Sequence, residues 1–103
     1  MACLIGWGSP FDADDHTYKV FGTDKGANYS GYSNEKVDEY LTLARQYEDQ
    51  ETRAKYYDLF QEELAKDPAY AFICYIDANY VADSDIKGIS EKTELSYHGF
   101  GIF

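Results

Sequence analysis

Asp12, Asp14, Asp15 and His16 form the densest group of potential ligands and proton carriers in the chain. Acids at alternating positions followed by glycine would make a calcium loop, because an oxygen cage must wrap a tight turn. Here His16 and Thr17 stand where the next acid and the glycine belong, so that chemistry fails. Zinc asks for several His or Cys at helical or hairpin spacing, and His98 is the only other histidine. The cluster reads instead as a capping loop, its carboxylates set against the positive end of a helix. A hydrolase using the Asp12 to His16 cluster is the catalytic alternative.

Other catalytic patterns are missing. No G-x-S-x-G, H-E-x-x-H, GxGxxG or P-loop string occurs, and each of those carries a specific backbone geometry that its chemistry needs. Glu62 and Glu63 fall on a face expected to be solvated. Asp49 and Arg53, one helical turn apart, read as a cap and an ion pair. No enzyme activity and no cofactor are expected. Trp7 is different: the string Trp7-Gly-Ser-Pro-Phe-Asp12 places two aromatics and an acid where a strand gives way to a loop. Ligands of open α/β sheets collect at strand ends, so Trp7, Phe11 and Asp12 are the candidate ligand-binding residues. Ordinary packing accounts for Trp7 equally well.

The elements that must position these residues follow from periodicity. Residues 2 to 7 read as a buried strand, broken at Gly8-Ser-Pro10. The acidic loop Asp12 to His16 caps a short helix over Thr17 to Phe21, and Gly22 to Gly31 is loop. A first long helix starts at Ser33 or Asn34 and runs to about Tyr47, with Val37, Tyr40, Leu41, Ala44 and Tyr47 on one apolar stripe. Asp49 caps a second helix to about Ala65, with Ala54, Tyr57, Phe60, Gln61 and Leu64 facing inward. Glu51 with Lys55 and Glu62 with Lys66 are spaced for ion pairs on its outer face. Pro68 stops it, since proline disfavours helical geometry in the residue before it. So short a connection predicts two antiparallel helices. Tyr70 to Ile76 is a nearly continuous apolar run typical of a strand buried on both faces. Short strands are expected at Asn79 to Ala82 and Glu94 to His98, with a turn at Ile86-Lys-Gly88 and β structure over Gly99 to Phe103. The predicted fold is α/β: a helical hairpin packed on a small mixed sheet.

Composition bounds the rest. The 103 residues allow one domain at most, here residues 1–103, and 45% hydrophobic with 17% aromatic content is globular. A formal charge of −10 repels phosphate backbones and argues against nucleic acid. Eleven tyrosines suit half-buried surfaces and clefts. Cys3 and Cys74 fit no zinc spacing and lie in apolar runs, so buried free thiols are expected, with a disulfide open if the two strands are neighbours. Met1-Ala-Cys-Leu-Ile5 is too short for a signal peptide, and no apolar run reaches membrane-spanning length. Both ends run straight into strand-like residues, so the chain reads as a fragment of something larger, whose exposed edges could pair with another copy.

Trp7-Gly-Ser-Pro-Phe-Asp12, then Asn28 to Asn34, Val37-Asp38, Ala44-Arg45, Asp49, Arg53, Tyr57, Pro68 and Ile86-Lys-Gly88 resemble, in that order, the C-terminal region of family 5 extracellular solute-binding proteins. These are the peptide- and nickel-type receptors of ABC importers. The resemblance implies part of one lobe of a two-lobed, type II periplasmic-binding-protein-like receptor that closes on its solute and docks on a membrane permease. It also implies an extracytoplasmic location, periplasmic or lipid-anchored at the cell surface, although Cys3 is not the lipid-bearing cysteine because no signal peptide precedes it.

Peptide-binding members carry an aspartate three positions after the tryptophan to hold an ammonium group; that position here is Pro10. The string is closer to nickel-receptor members, in which the tryptophan and the following aromatic line the pocket. By that match Trp7 and Phe11 are cleft residues. Nickel-type members place a histidine further on, and none occurs between His16 and His98. The alternative from the residues alone is a stand-alone protein-interaction domain that docks a partner on its Tyr-rich helix pair.

Overall fold

Side-chain caps set the helix boundaries. In the computed structural model, which describes residues 2–8, 12–77, 79–89 and the backbone of 94–95 and 101–102, helix α1 spans Ala13–Phe21, α2 Glu35–Gln46 and α3 Gln50–Lys66. Asn34 opens α2 by accepting from the backbone N–H groups of Lys36 and Val37. Asp49 opens α3 by accepting from the Thr52 N–H and hydroxyl. Both satisfy donors that a helix start otherwise leaves without partners. Helix α3 ends at Lys66, with Asp67 as its C-cap ahead of Pro68.

Helix α1 begins earlier than the expected Thr17. Asp12 itself is the cap, so Asp14 and Asp15 form the first turn instead of a loop ahead of it. Two carboxylates beside the positive helix end stabilise that start. The helix closes at Gly22, where an added Cβ would sit 2.6 Å from the Tyr18 carbonyl oxygen. Only glycine fits there without a shift.

Helices α2 and α3 lie antiparallel. Asn34 at the start of α2 reaches Glu63 and Asp67 at the end of α3, while Ala44 near the end of α2 meets Arg53 near the start of α3. Between them sits the core: Val37, Leu41 and Ala44 from α2, and Phe60 and Leu64 from α3. Val20 and Phe21 of α1 close it, with the Phe21 and Phe60 rings 5.4 Å apart and the Tyr70 ring edge-on to Phe21 at 6.0 Å. Of the expected inward positions on α3, Ala54 and Gln61 are exposed.

This arrangement overturns the α/β architecture expected from the sequence. The described residues hold three helices and no mixed sheet for a hairpin to lie on; the fold is helical. Residues 2–8 and 71–77 form neither strand nor helix. Strand pairing among the described residues is limited to β1 (Glu94–Leu95) and β2 (Gly101–Ile102), antiparallel, with Glu94 opposite Ile102. The physical reason lies in what an apolar run specifies. Composition favours burial, but a strand exists only when a second backbone supplies its hydrogen bonds. The stripe of the helix pair is covered by α1, so it needs no sheet.

The chain divides into two compact units. Asp12–Ala71 holds the helices and the core, and Met1–Phe11 with Phe72–Phe103 holds the β1–β2 pair. Cys3 and Cys74, expected to be buried, are both free and exposed. Exposure follows from the same fact, since the runs that carry them are not strands in a sheet.

Candidate functional site

Trp7 lies in the stretch 2–8 with 41% of its surface exposed. Tryptophan pairs a large apolar ring with a polar N–H, and part of that ring's surface here reaches solvent. Phe11, the second expected ligand residue, falls outside the described residues. Asp12, the third, is occupied. It accepts the Asp14 N–H at 3.0 Å, and Arg53 Nη2 lies 3.6 Å from its Oδ1. A cationic ligand taken by Asp12 would compete with Arg53.

The rest of the acidic cluster is also engaged. Arg45 Nε of α2 lies 3.2 Å from Asp14 Oδ1, an ion pair whose N–H does not point at the oxygen. Asp15 pairs with Lys19 one turn along α1 at 3.2 Å. Arg45 also stacks on the Tyr18 ring at 4.0 Å, and the Lys25 ammonium lies 4.9 Å from the centroid of the same ring. Lys25 first, and Arg45 after it, hold the Tyr18 phenol below its ordinary pKa, because nearby cations favour phenolate. Thus Asp12 and Asp14 tie α1 to α3 and α2 through two arginines. Asp49 caps as expected, but the Arg53 side chain turns away from it, its Nε donating to the Ala44 carbonyl at 3.3 Å. Neither expected outer ion pair on α3 forms among the described contacts; Lys66 approaches Glu63 instead, at 3.9 Å.

The segment Asn28 to Asn34, which leads into α2, is a structural knot. The Asn28 amide donates to the Gly22 and Tyr32 carbonyls, and its oxygen accepts from the Tyr32 N–H. The Tyr32 hydroxyl donates to the Asp67 carbonyl at 2.8 Å, and the Asn34 amide to the Asp67 carboxylate at 2.9 Å. Burial first and the Asp67 charge second push the Tyr32 phenol above its ordinary pKa. Asp38 accepts from both the N–H and the hydroxyl of Thr23. These residues bind the loop after α1 to the helix pair and leave few polar groups for a ligand.

A shallow hollow of about 200 Å³ opens beside this knot, lined by residues that include Tyr18, Lys25, Asp38, Leu41 and Thr42. That is below the roughly 300 Å³ at which small-molecule pockets begin. Among the described residues no group of three His, Cys, Asp or Glu could hold a metal ion, and no helix is long and apolar enough to cross a membrane. No family model and no curated protein matches this chain.

Sequence reasoning missed the Arg45–Tyr18–Lys25 stack and the Thr23–Asp38 clamp. Thr23 and Asp38 are fifteen positions apart, and no local periodicity joins a loop threonine to a helix carboxylate. The polar richness of Gly22 to Gly31 was the available signal.

Proposed function

We propose that this chain serves in solute capture for an ABC importer, as part of an extracytoplasmic solute-binding protein of the peptide- or nickel-type class, with Trp7 as its ligand-contacting residue. The observation that carries the proposal is the half-exposed indole of Trp7, set in the string that resembles the pocket-lining segment of that class. It is a binding role without chemistry. Asp12 and Asp14 are engaged with Arg53 and Arg45 in holding the helical unit together, and an aromatic contact is the means of recognition proposed here. Phe11, from the same string, would share that contact.

The alternative, a helix pair that docks a protein on its apolar stripe, is disfavoured. Val37, Leu41, Ala44, Phe60 and Leu64 are already buried in the core, and a docking stripe must be accessible.

Trp7 is the one tryptophan in the chain, so indole emission reads this contact alone. In a receptor containing this segment, short peptides or chelated nickel should shift that emission, and Trp7→Ala should weaken binding about tenfold or more. The 103-residue chain alone should bind weakly, since a cleft without its second wall buries little ligand. Tight binding by the isolated chain, or full affinity after Trp7→Ala, would contradict the proposal.

A further inference from the structure

We propose that Tyr47 and Tyr56 form an oxidative cross-linking site, at which a haem peroxidase using hydrogen peroxide joins the two rings as dityrosine within one chain. This goes beyond the solute-capture reading and does not rest on it. The two rings are stacked, with centroids 5.6 Å apart and planes 17° from parallel. Both belong to the helical unit Asp12–Ala71. Stacking by itself is ordinary aromatic packing. What singles this pair out is how it is held, how open it is and which ends of the rings meet. Tyr47 is the C-cap of α2, where an extended backbone (φ −104°, ψ 137°) takes its ring off the helix and onto Tyr56 of α3. Arg53 Nε donates to the Ala44 carbonyl at 3.3 Å, and Asp49 caps α3 between the two rings. These contacts fix the end of α2 against the start of α3, so the rings already share the geometry that coupling needs.

Tyr47 is 43% exposed and Tyr56 half-buried, so an oxidant reaches the pair from solvent. Partial burial first, then a hydroxyl-to-hydroxyl interaction with Tyr47, push the Tyr56 phenol above its ordinary pKa. That interaction places the two phenol oxygens at the same end of the stack. The ring carbons beside those oxygens, where phenoxyl radicals couple, are therefore neighbours too. Tyr18 and Tyr32 are engaged elsewhere, the first between Lys25 and Arg45 and the second with the Asp67 carbonyl. In the reaction each phenol gives up one electron and its hydroxyl proton. The two radicals combine in one carbon–carbon bond, and the two displaced ring hydrogens move to the oxygens and restore both phenols. The pair loses two hydrogens in all, and one hydrogen peroxide takes up the two electrons and two protons to become two waters.

Peroxidase and hydrogen peroxide, added to the dilute whole chain with its thiols alkylated, test this. The expected product is a monomer with blue dityrosine emission. Its tryptic digest should join residues 46–53 to residues 56–66 with the loss of two hydrogens. Tyr47→Phe and Tyr56→Phe should each lower the monomer's emission about tenfold or more, because random encounter replaces a pre-positioned pair. Tyr57→Phe should leave it unchanged, which separates Tyr56 from its neighbour in the same peptide. Unchanged helical circular dichroism would show that all three variants fold. An absence of dityrosine, coupling only between chains, a monomer linked mainly through other tyrosines, or emission indifferent to Tyr56→Phe would each overturn the proposal.

Discussion

Asn34 illustrates how much one polar side chain holds in this chain. Its oxygen caps α2 while its amide ties that cap to Asp67 at the end of α3. Asn34→Ala should therefore cost about 1–2 kcal/mol in urea unfolding, with Asn34→Asp recovering the cap but not the tie. Asp49 gives a pH signature. The Thr52 hydroxyl, and then its N–H, hold the Asp49 carboxyl below the ordinary carboxylate value. A depressed folded pKa means the contribution is complete above the unfolded pKa of about 3.9 and disappears as pH falls through the lower folded value. The stability gap between wild type and Asp49→Asn should accordingly shrink as the medium is acidified below about pH 4. A gap that stays constant from neutral to acid pH would show that the charge contributes nothing.

At the scale of elements, α1 acts as the lid of a two-helix core. Its apolar contribution is Val20 and Phe21, and its polar ties are Asp12 to Arg53 and Asp14 to Arg45. These two contributions differ in weight. Exposed ion pairs contribute little net stability, whereas a buried leucine-sized side chain contributes several kcal/mol. Leu41, only 1% exposed between the helices, should lose about 2–5 kcal/mol on conversion to Ala in chemical denaturation. Arg45→Met should change stability far less, its effect fading further in salt. An Arg45→Met loss as large as that of Leu41→Ala would reverse this ranking and make the arginine staple the principal tie of α1.

Across the molecule, apolar burial is unevenly shared. Asp12–Ala71 contains all the buried apolar side chains described, while Leu4, Phe72, Ile73, Tyr75, Ile76 and Val81 of the other unit remain at least two-thirds exposed. A sixty-residue unit with one core is marginal but can stand alone. A chain trimmed to residues 12–71 should therefore keep the helical signal and a cooperative thermal transition. Loss of that transition would show that residues outside this range complete the core.

The helices were legible from sequence because their determinants are local. A cap such as Asn34 or Asp49 acts within one turn, a stripe such as Val37, Leu41 and Ala44 repeats every turn, and Pro68 ends a helix in its own neighbourhood. The sheet was not legible, because residues 2–7 and 70–76 carry the composition of strands but not the partner backbone that makes one. Trp7 could be singled out as a residue type, while its exposure and the capture of Asp12 by Arg53 depend on chain segments far away in sequence. Sequence by itself thus determined where the backbone coils into helices. Only the tertiary structure decided what covers their apolar faces and which acids are already paired, because burial and ion pairing are set by neighbours in space.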